Sequence, residues 1–411
     1  MNQKLTTNWL NLTVIVAALG YFVDIYDLIL FGIVRTPSLV ALGYSGAALT
    51  TQAVFLFNMQ MGGMLIGGIL WGILGDKKGR LRVLFGSILL YSVANVLNGF
   101  VLDFAPYSIE AYAILRFVAG IGLAGELGAG ITLVNETMTP EKRGIGTMIV
   151  VTFGALGAVC AALVGDWFSW QTAYFVGGGL GLALLALRVA MYESGMYADL
   201  KNTSVSKGNF LSLFSSKKQI IKYLSCIFLG LPIWFIVGIL VILAPEITAK
   251  LGIVEPIKAS RTIMFCYIGL SIGDFFSGAL SQYLKSRKKV ILYYIIGSIL
   301  CVAWYLTNKN ATATGFYFTV FCLGFGTGYW ALFATMASEQ YGTNIRATVT
   351  TTAPNFVRGT VIPMTLGYQY LSIKTDPVYA AAIVGVVVFG LTLMAFYQLN
   401  DTFGKDLDYT E

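Results

Sequence analysis

Histidine is absent from the 411 residues, and that gap removes a large share of enzyme chemistry. No Ser-His-Asp relay and no imidazole metal site can be built from the chain. Cysteine is scarce. Cys160, Cys226, Cys266, Cys301 and Cys322 contain no Cys-x-x-Cys pair and all lie inside apolar runs, where a thiol behaves as a small hydrophobe. Neither a disulfide nor a zinc or haem site is expected, and no cofactor or enzyme activity. Charge is also scarce, at 11% of residues, against roughly 25% in soluble domains. What fills the space is apolar: 57% of residues are hydrophobic and the mean hydropathy is +0.75. One water-soluble core cannot hide that much apolar surface, so the expected solvent is the lipid bilayer. The net charge of +7 does not indicate nucleic acid, because the basic residues sit in short loops between apolar runs, the pattern of cytoplasmic loops. No cleavable leader is evident: the first run begins near Trp9 and is too long for one.

Spans of about 20 apolar residues can cross a bilayer. Twelve are expected, near 10–35, 48–74, 82–103, 108–134, 144–165, 170–192, 219–244, 260–283, 289–307, 312–337, 347–371 and 377–398. Lys77, Lys78, Arg80 and Arg82 follow the second span. Lys142 and Arg143 follow the fourth, and Lys285, Arg287, Lys288 and Lys289 the eighth. If spans alternate, these cations share one side, which the positive-inside bias makes cytoplasmic, with both termini there. Lys250, Lys258 and Arg261 break the pattern without reversing it. The reading is an all-α membrane protein of two six-helix bundles. Its boundaries are 1–192 for the first bundle, 193–216 for a cytoplasmic link, and 217–411 for the second bundle with a short tail.

The stretch GILGDKKGRLR at 72–82 has a degraded echo in GALSQYLKSRKK from Gly278. Glu136 precedes Arg143 by seven residues, and Glu339 precedes Arg346 by seven. Two matches in the same order point to a duplicated bundle. Gln282 stands where Asp76 would repeat, so a full charged latch is expected only in the first half, with basic residues but no comparable acid contact in the second.

The pattern G-x-L-x-D-K-x-G-R-x-R at Gly72, Leu74, Asp76, Lys77, Gly79, Arg80 and Arg82 resembles the signature loop of the major facilitator superfamily. Asp24-x-Tyr26-Asp27, Arg116-Phe117-x-x-Gly120-x-Gly122 and Pro140-Glu141-Lys142-Arg143-Gly144 are similar to its sugar-porter, phosphate and metabolite:proton symporter branches. Glu193-Ser194 resembles the same branches without their usual prolines. The resemblance implies a cytoplasmic gate. Asp76 would meet the amino end of span eleven near Thr348, Arg80 or Arg82 would pair with Glu136, and Arg143 would join them. It also implies a proton-coupling pair between a helix-one aspartate and the helix-four arginine, with Asp27 as the matching residue and Asp24 one turn away.

Charge inside a membrane is costly and marks function by default. Arg116 lies within span four at a depth that Asp27 or Asp24 can reach. Glu126 is either a second proton site or a structural partner of another helix. Asp274 is either buried and paired or near cytoplasmic water. Arg188 lies near the end of span six, can snorkel to water, and receives no role. Arg358, in TTAPNFVRG with Asn355 beside it, is either an anion-binding residue or half of a salt bridge with Asp274 or another acid. Tyr21, Asn58, Gln60, Trp234, Tyr329 and Trp330 lie at similar depth and are the remaining substrate-site candidates. Pro232 either hinges or merely bends span seven.

The expected function is proton-coupled import of a small polar or anionic metabolite by alternating access. Proton-antiport export of a drug-like or siderophore-like compound is the alternative; span five, with glycines but no proline, disfavours it. The expected partners are the substrate, protons and lipid. A monomer in a bacterial inner membrane is what the resemblance implies.

Overall fold

The structure is a computed structural model that describes residues 12–78, 80–138, 140–193 and 210–404. Helices account for nearly all of these residues. The first half contains α1 (Leu12–Ala41), α2 (Gly46–Lys78), α3 (Arg80–Gly99), α4 (Ser108–Leu123), α5 (Glu126–Thr137), α6 (Pro140–Trp167) and α7 (Trp170–Glu193). The second contains α8 (Lys217–Leu229), α9 (Leu231–Phe235), α10 (Ala244–Thr248), α11 (Ala259–Leu284), α12 (Arg287–Thr307), α13 (Ala313–Thr327), α14 (Trp330–Glu339), α15 (Thr343–Gly359), α16 (Val361–Lys374) and α17 (Pro377–Gln398). Among the described residues, ten helices are long and apolar enough to cross a membrane. There are eleven if the pair Lys217–Leu229 and Leu231–Val241, bent by 42°, counts as one.

The eleventh expected span is the exception, and the reason is physical. It is broken at Thr360 into α15 and α16, and α15 is rich in threonine. Thr348, Thr350, Thr351, Thr352, Asn355 and Arg358 are nevertheless buried, because α15 packs between α2 and α5 of the first half and α14 of the second. Protein rather than lipid surrounds it, so hydropathy is a poor guide to its path.

Spans four and ten are also broken, at Ala124–Gly125 and at Gly328–Tyr329. These breaks occupy corresponding positions in the two halves, about where such repeats place irregular backbone. Asp274 of α11 accepts a hydrogen bond from the Ala331 amide (3.1 Å) and so caps the start of α14. Of its sequence alternatives the structure shows the buried one, paired with a backbone amide rather than near water. Pro232 lies in the first turn of α9, just past the bend, where a missing amide costs nothing.

Close helix approach depends on small residues. A Cβ on Gly63 would sit 2.0 Å from the Phe117 carbonyl, and one on Gly120 would sit 2.1 Å from that of Gln60. The two glycines let α2 and α4 touch backbone to backbone. The halves meet along α1, α2, α5 and α6 on one side and α11, α14, α15 and α16 on the other.

Residues 210–214, within the expected link, form a 3₁₀ turn whose Phe210 packs on Phe356 and whose Phe214 packs on Tyr223. One expectation needs correction: the second-half echo does make an acid contact. The Arg287 Nε and Nη2 donate to the two Glu339 oxygens at 2.6 and 2.7 Å, and the Asp401 carboxylate accepts from the Arg287 amide at 3.1 Å. The acid comes from the end of α14 rather than from the loop, so a search within the loop misses it.

Candidate functional site

Six helices converge midway along the bundle. α1, α6, α9, α11, α14 and α15 enclose a cavity whose walls include Tyr21, Ile25, Trp234, Tyr267, Trp330 and Arg358. Its free space is about 20 Å³, room for one or two waters and too little for a metabolite. The Trp330 Nε1 donates to the Tyr21 hydroxyl (3.0 Å), tying the halves together across the cavity.

Arg358 is the cation of this cavity and is fully buried. Its guanidinium carbon lies 5.8 Å from the Trp234 ring centre and 5.7 Å from that of Trp330, within reach of cation–π attraction. Nη1 donates to Asn355 Oδ1 at 3.3 Å. Asn355 Nδ2 in turn donates to the Ala124 carbonyl at 2.8 Å, at the break in span four. The partner acid of Arg358 is Asp24, not Asp274. Asp24 Oδ2 stands 3.9 Å from Nη2, beyond hydrogen-bond range. Neither Asp24 oxygen has a hydrogen-bond partner, and neither do Arg358 Nε and Nη2.

The expected direct contact of Asp27 or Asp24 with Arg116 is absent. Arg116 hydrogen-bonds instead to Gln60 Oε1 and lies over the rings of Phe31 (5.1 Å) and Tyr174 (5.8 Å). Gln60 is held by its own bond from Nε2 to the Leu28 carbonyl (3.1 Å). Asp24 and Asp27 are three residues apart, so their side chains diverge by about 60° around α1. Asp24 faces α15, whereas Asp27 lies against Gly177 of α7, inside the first half. Arg116 remains the opposite charge whose field reaches Asp27.

Of the other expected site residues, Tyr21, Trp234 and Trp330 line the cavity and Asn355 supports Arg358. Gln60 serves Arg116, Asn58 accepts from the Thr365 hydroxyl (2.9 Å), and Tyr329 donates to the Leu229 carbonyl (3.1 Å); none of these three lines the cavity. Glu126 is locked in a two-point pair with Arg188, Nη2 to Oε1 at 2.5 Å and Nη1 to Oε2 at 3.1 Å. Arg188 therefore does not snorkel; it is buried. In the expected gate, Gly72 is buried and faces Thr352 of α15, and Arg82 is exposed. The side chains of Asp76, Arg80, Glu136 and Arg143, and Gly79, lie outside the described residues.

Reading the sequence missed the opposite end of the bundle. Arg35, on α1, donates from Nη1 and Nη2 to the two Glu246 oxygens, both at 2.8 Å, and from Nη2 to the Ile242 carbonyl at 3.0 Å. Nearby, the Ser260 hydroxyl donates to Asp166 Oδ1 at 2.5 Å. Both links join the first half to the second. The signal is present, since Arg35 is a cation in an apolar run, but it coincides with the end of the first expected span, 10–35, where a charge is unremarkable. Glu246→Gln is expected to destabilise this closed form by about 1–3 kcal/mol, because Arg35 stays buried without its anion. Thermal unfolding in detergent should register the loss, and a cysteine introduced on α10 should be labelled several-fold faster.

Comparison with known proteins fits this geometry. Residues 17–359 match the profile described as Major Facilitator Superfamily. NiaP of Bacillus subtilis (strain 168), named for niacin/nicotinamide transport, is 27% identical over 371 residues, covering 87% of this chain and 88% of that protein. The 3-(3-hydroxy-phenyl)propionate transporter of Escherichia coli (strain K12) is 27% identical over 359 residues, with 83% and 86% covered. The sialic acid transporter NanX of the same organism is 25% identical over 307 residues, with 73% and 72% covered. The solved structure of the proton:xylose symporter XylE bound to 6-bromo-6-deoxy-D-glucose superposes with a TM-score of 0.68 at 17% identity, over 96% of this chain and 97% of that one. Its likeness establishes the fold. On the family match and the apolar helices together, the chain belongs to the Major Facilitator Superfamily and is a multi-pass membrane transporter, not an enzyme.

Proposed function

We propose that the protein imports a small organic anion together with protons by alternating access. The observation that carries this reading is Arg358, a fully buried cation in the cavity between the halves, flanked by two indole rings. A guanidinium in such a place is suited to a carboxylate, and the indoles suit a flat organic body. Relatives named for niacin/nicotinamide, for 3-(3-hydroxy-phenyl)propionate and for sialic acid support it, since niacin, the propionate and sialic acid bear a carboxyl group; nicotinamide is the neutral exception. The proton would be carried by a carboxylate of α1, Asp24 or Asp27; the Asp24 oxygens accept no hydrogen bond from protein.

In this reading the two halves, 1–192 and 217–411, are six-span bundles that rock about the cavity, with both termini cytoplasmic. The Arg35–Glu246 end faces outward, and the Gly72–Arg82 stretch gates the inner face. The closed cavity belongs to the occluded stage between the two openings. A monomer in a bacterial inner membrane completes the picture.

Proteoliposomes test it. With the lumen made alkaline, labelled carboxylates from a panel including nicotinate and 3-(3-hydroxyphenyl)propionate should include one that accumulates above its outside concentration. A protonophore should collapse the gradient. Accumulation of neutral sugars alone, or carboxylate uptake that ignores the pH gradient, would sink the reading.

A further inference from the structure

The pairing of Asp24 with Arg358 suggests how substrate and proton are tied together; the argument rests on the reading of Arg358 as the anion site. The pair bridges the two halves, α1 to α15, and its members are 334 positions apart in sequence. It is also loose. At 3.9 Å it makes no hydrogen bond, and the guanidinium keeps Nε and Nη2 unpartnered although fully buried. A planar cation with two unused donors, in a cavity otherwise walled by aromatic and aliphatic side chains, is poised for a two-point acceptor.

The charge balance limits what can enter. Arg358 and Asp24 together are neutral. A substrate carboxylate added to them would place two anions on one guanidinium in a dry site, which is strongly unfavourable. The other groups facing Asp24 do not relieve this. Glu126 of α5 is already held by Arg188 of α7. Asp27 lies one turn along α1 and adds further negative charge. Tyr21, Tyr91 and Tyr267 are phenols, neutral at ordinary pH. One proton on Asp24 restores neutrality and frees Arg358.

We propose that Asp24 is the resident counter-ion of Arg358, and that a monocarboxylate substrate replaces it there as Asp24 takes up one proton. The step balances. The substrate carboxylate accepts hydrogen bonds from Arg358, one proton from the outer water joins Asp24, and no net charge enters the cavity. Asp24 is then a specificity-determining residue, because a single cation and a single exchangeable anion match one carboxylate. Transport becomes electroneutral, with one proton per monoanion.

The test uses the purified full chain in detergent and the same carboxylate panel, with nicotinamide as the neutral counterpart of nicotinate. Proton uptake on binding is read with an indicator dye in weak buffer, and affinity is followed from pH 5 to pH 9. The wild type should take up close to one proton per carboxylate at the alkaline end, and its affinity should fall about tenfold per pH unit there. Asp24→Asn should still bind the carboxylate, with no proton uptake and a flat pH profile. Infrared difference spectra of the wild type should show a protonated carboxyl band appearing with ligand, a readout that needs no variant. A flat profile and no such band in the wild type would overturn the exchange. So would proton uptake that survives in Asp24→Asn. Failure of every carboxylate to bind the wild type would instead bring down the anion reading of Arg358.

Discussion

Arg358→Ala is expected to abolish carboxylate-dependent thermal stabilisation and to reduce carboxylate uptake to near background. Truncating one partner of a buried, hydrogen-bonded charge pair costs about 2–5 kcal/mol, which is roughly thirty-fold to several-thousand-fold in affinity. The loss should be larger for nicotinate than for nicotinamide, since only the former presents a charge to the guanidinium. Arg358→Lys should fall between, because an ammonium keeps the charge but not the two-point fork. Misfolding is the competing explanation, as the alanine leaves Asp24 buried without a cation. The double variant Arg358→Ala with Asp24→Asn removes that orphan. It should recover thermal stability without recovering binding. If it binds carboxylates as the wild type does, Arg358 is not the anion site.

The second large effect falls on stability. Glu126→Gln is expected to destabilise the protein by about 3–5 kcal/mol, the usual penalty for breaking a buried pair from one side. Arg188 is buried and donates to both Glu126 oxygens, with one nitrogen also reaching the Val16 carbonyl at 3.4 Å. The pair therefore joins α5, α7 and α1 just past the break in span four. Gly20 makes room for it: a Cβ there would lie 2.0 Å from Glu126 Oε1 and 2.1 Å from Arg188 Nη2. Replacing both members by apolar residues of similar volume, Glu126→Leu with Arg188→Met, should restore most of the melting temperature and should leave pH-driven uptake intact. A double variant that is stable yet no longer accumulates substrate would give Glu126 the proton-carrying role that the sequence left open.

Much of the site was visible in the sequence because membrane burial makes polar residues conspicuous. Arg358, Asp24, Asp27, Arg116 and Glu126 stand out as charges inside apolar runs, and each is buried. The aromatic candidates were less separable. Tyr21, Trp234 and Trp330 reach the cavity and Tyr329 does not, although Tyr329 and Trp330 are adjacent. They straddle the start of α14, where one residue turns the side chain from the cavity wall toward α8. Arg35 and Glu246 were missed because a charge near a span end reads as a boundary.

By itself, the sequence determined the solvent, the all-helical class, the superfamily and which ionisable residues are exceptional. These follow from composition, local periodicity and short motifs, all carried by neighbouring residues. Only the tertiary structure decided the partners. Asp24 meets Arg358, Arg188 meets Glu126, Arg35 meets Glu246 and Arg287 meets Glu339, across separations that no local pattern encodes. Asp24 and Asp27 share one helix and nearly one face. A divergence of about 60° turns one toward Arg358 of the second half and the other into the first bundle, and that divergence has meaning only once the neighbouring helices are in place.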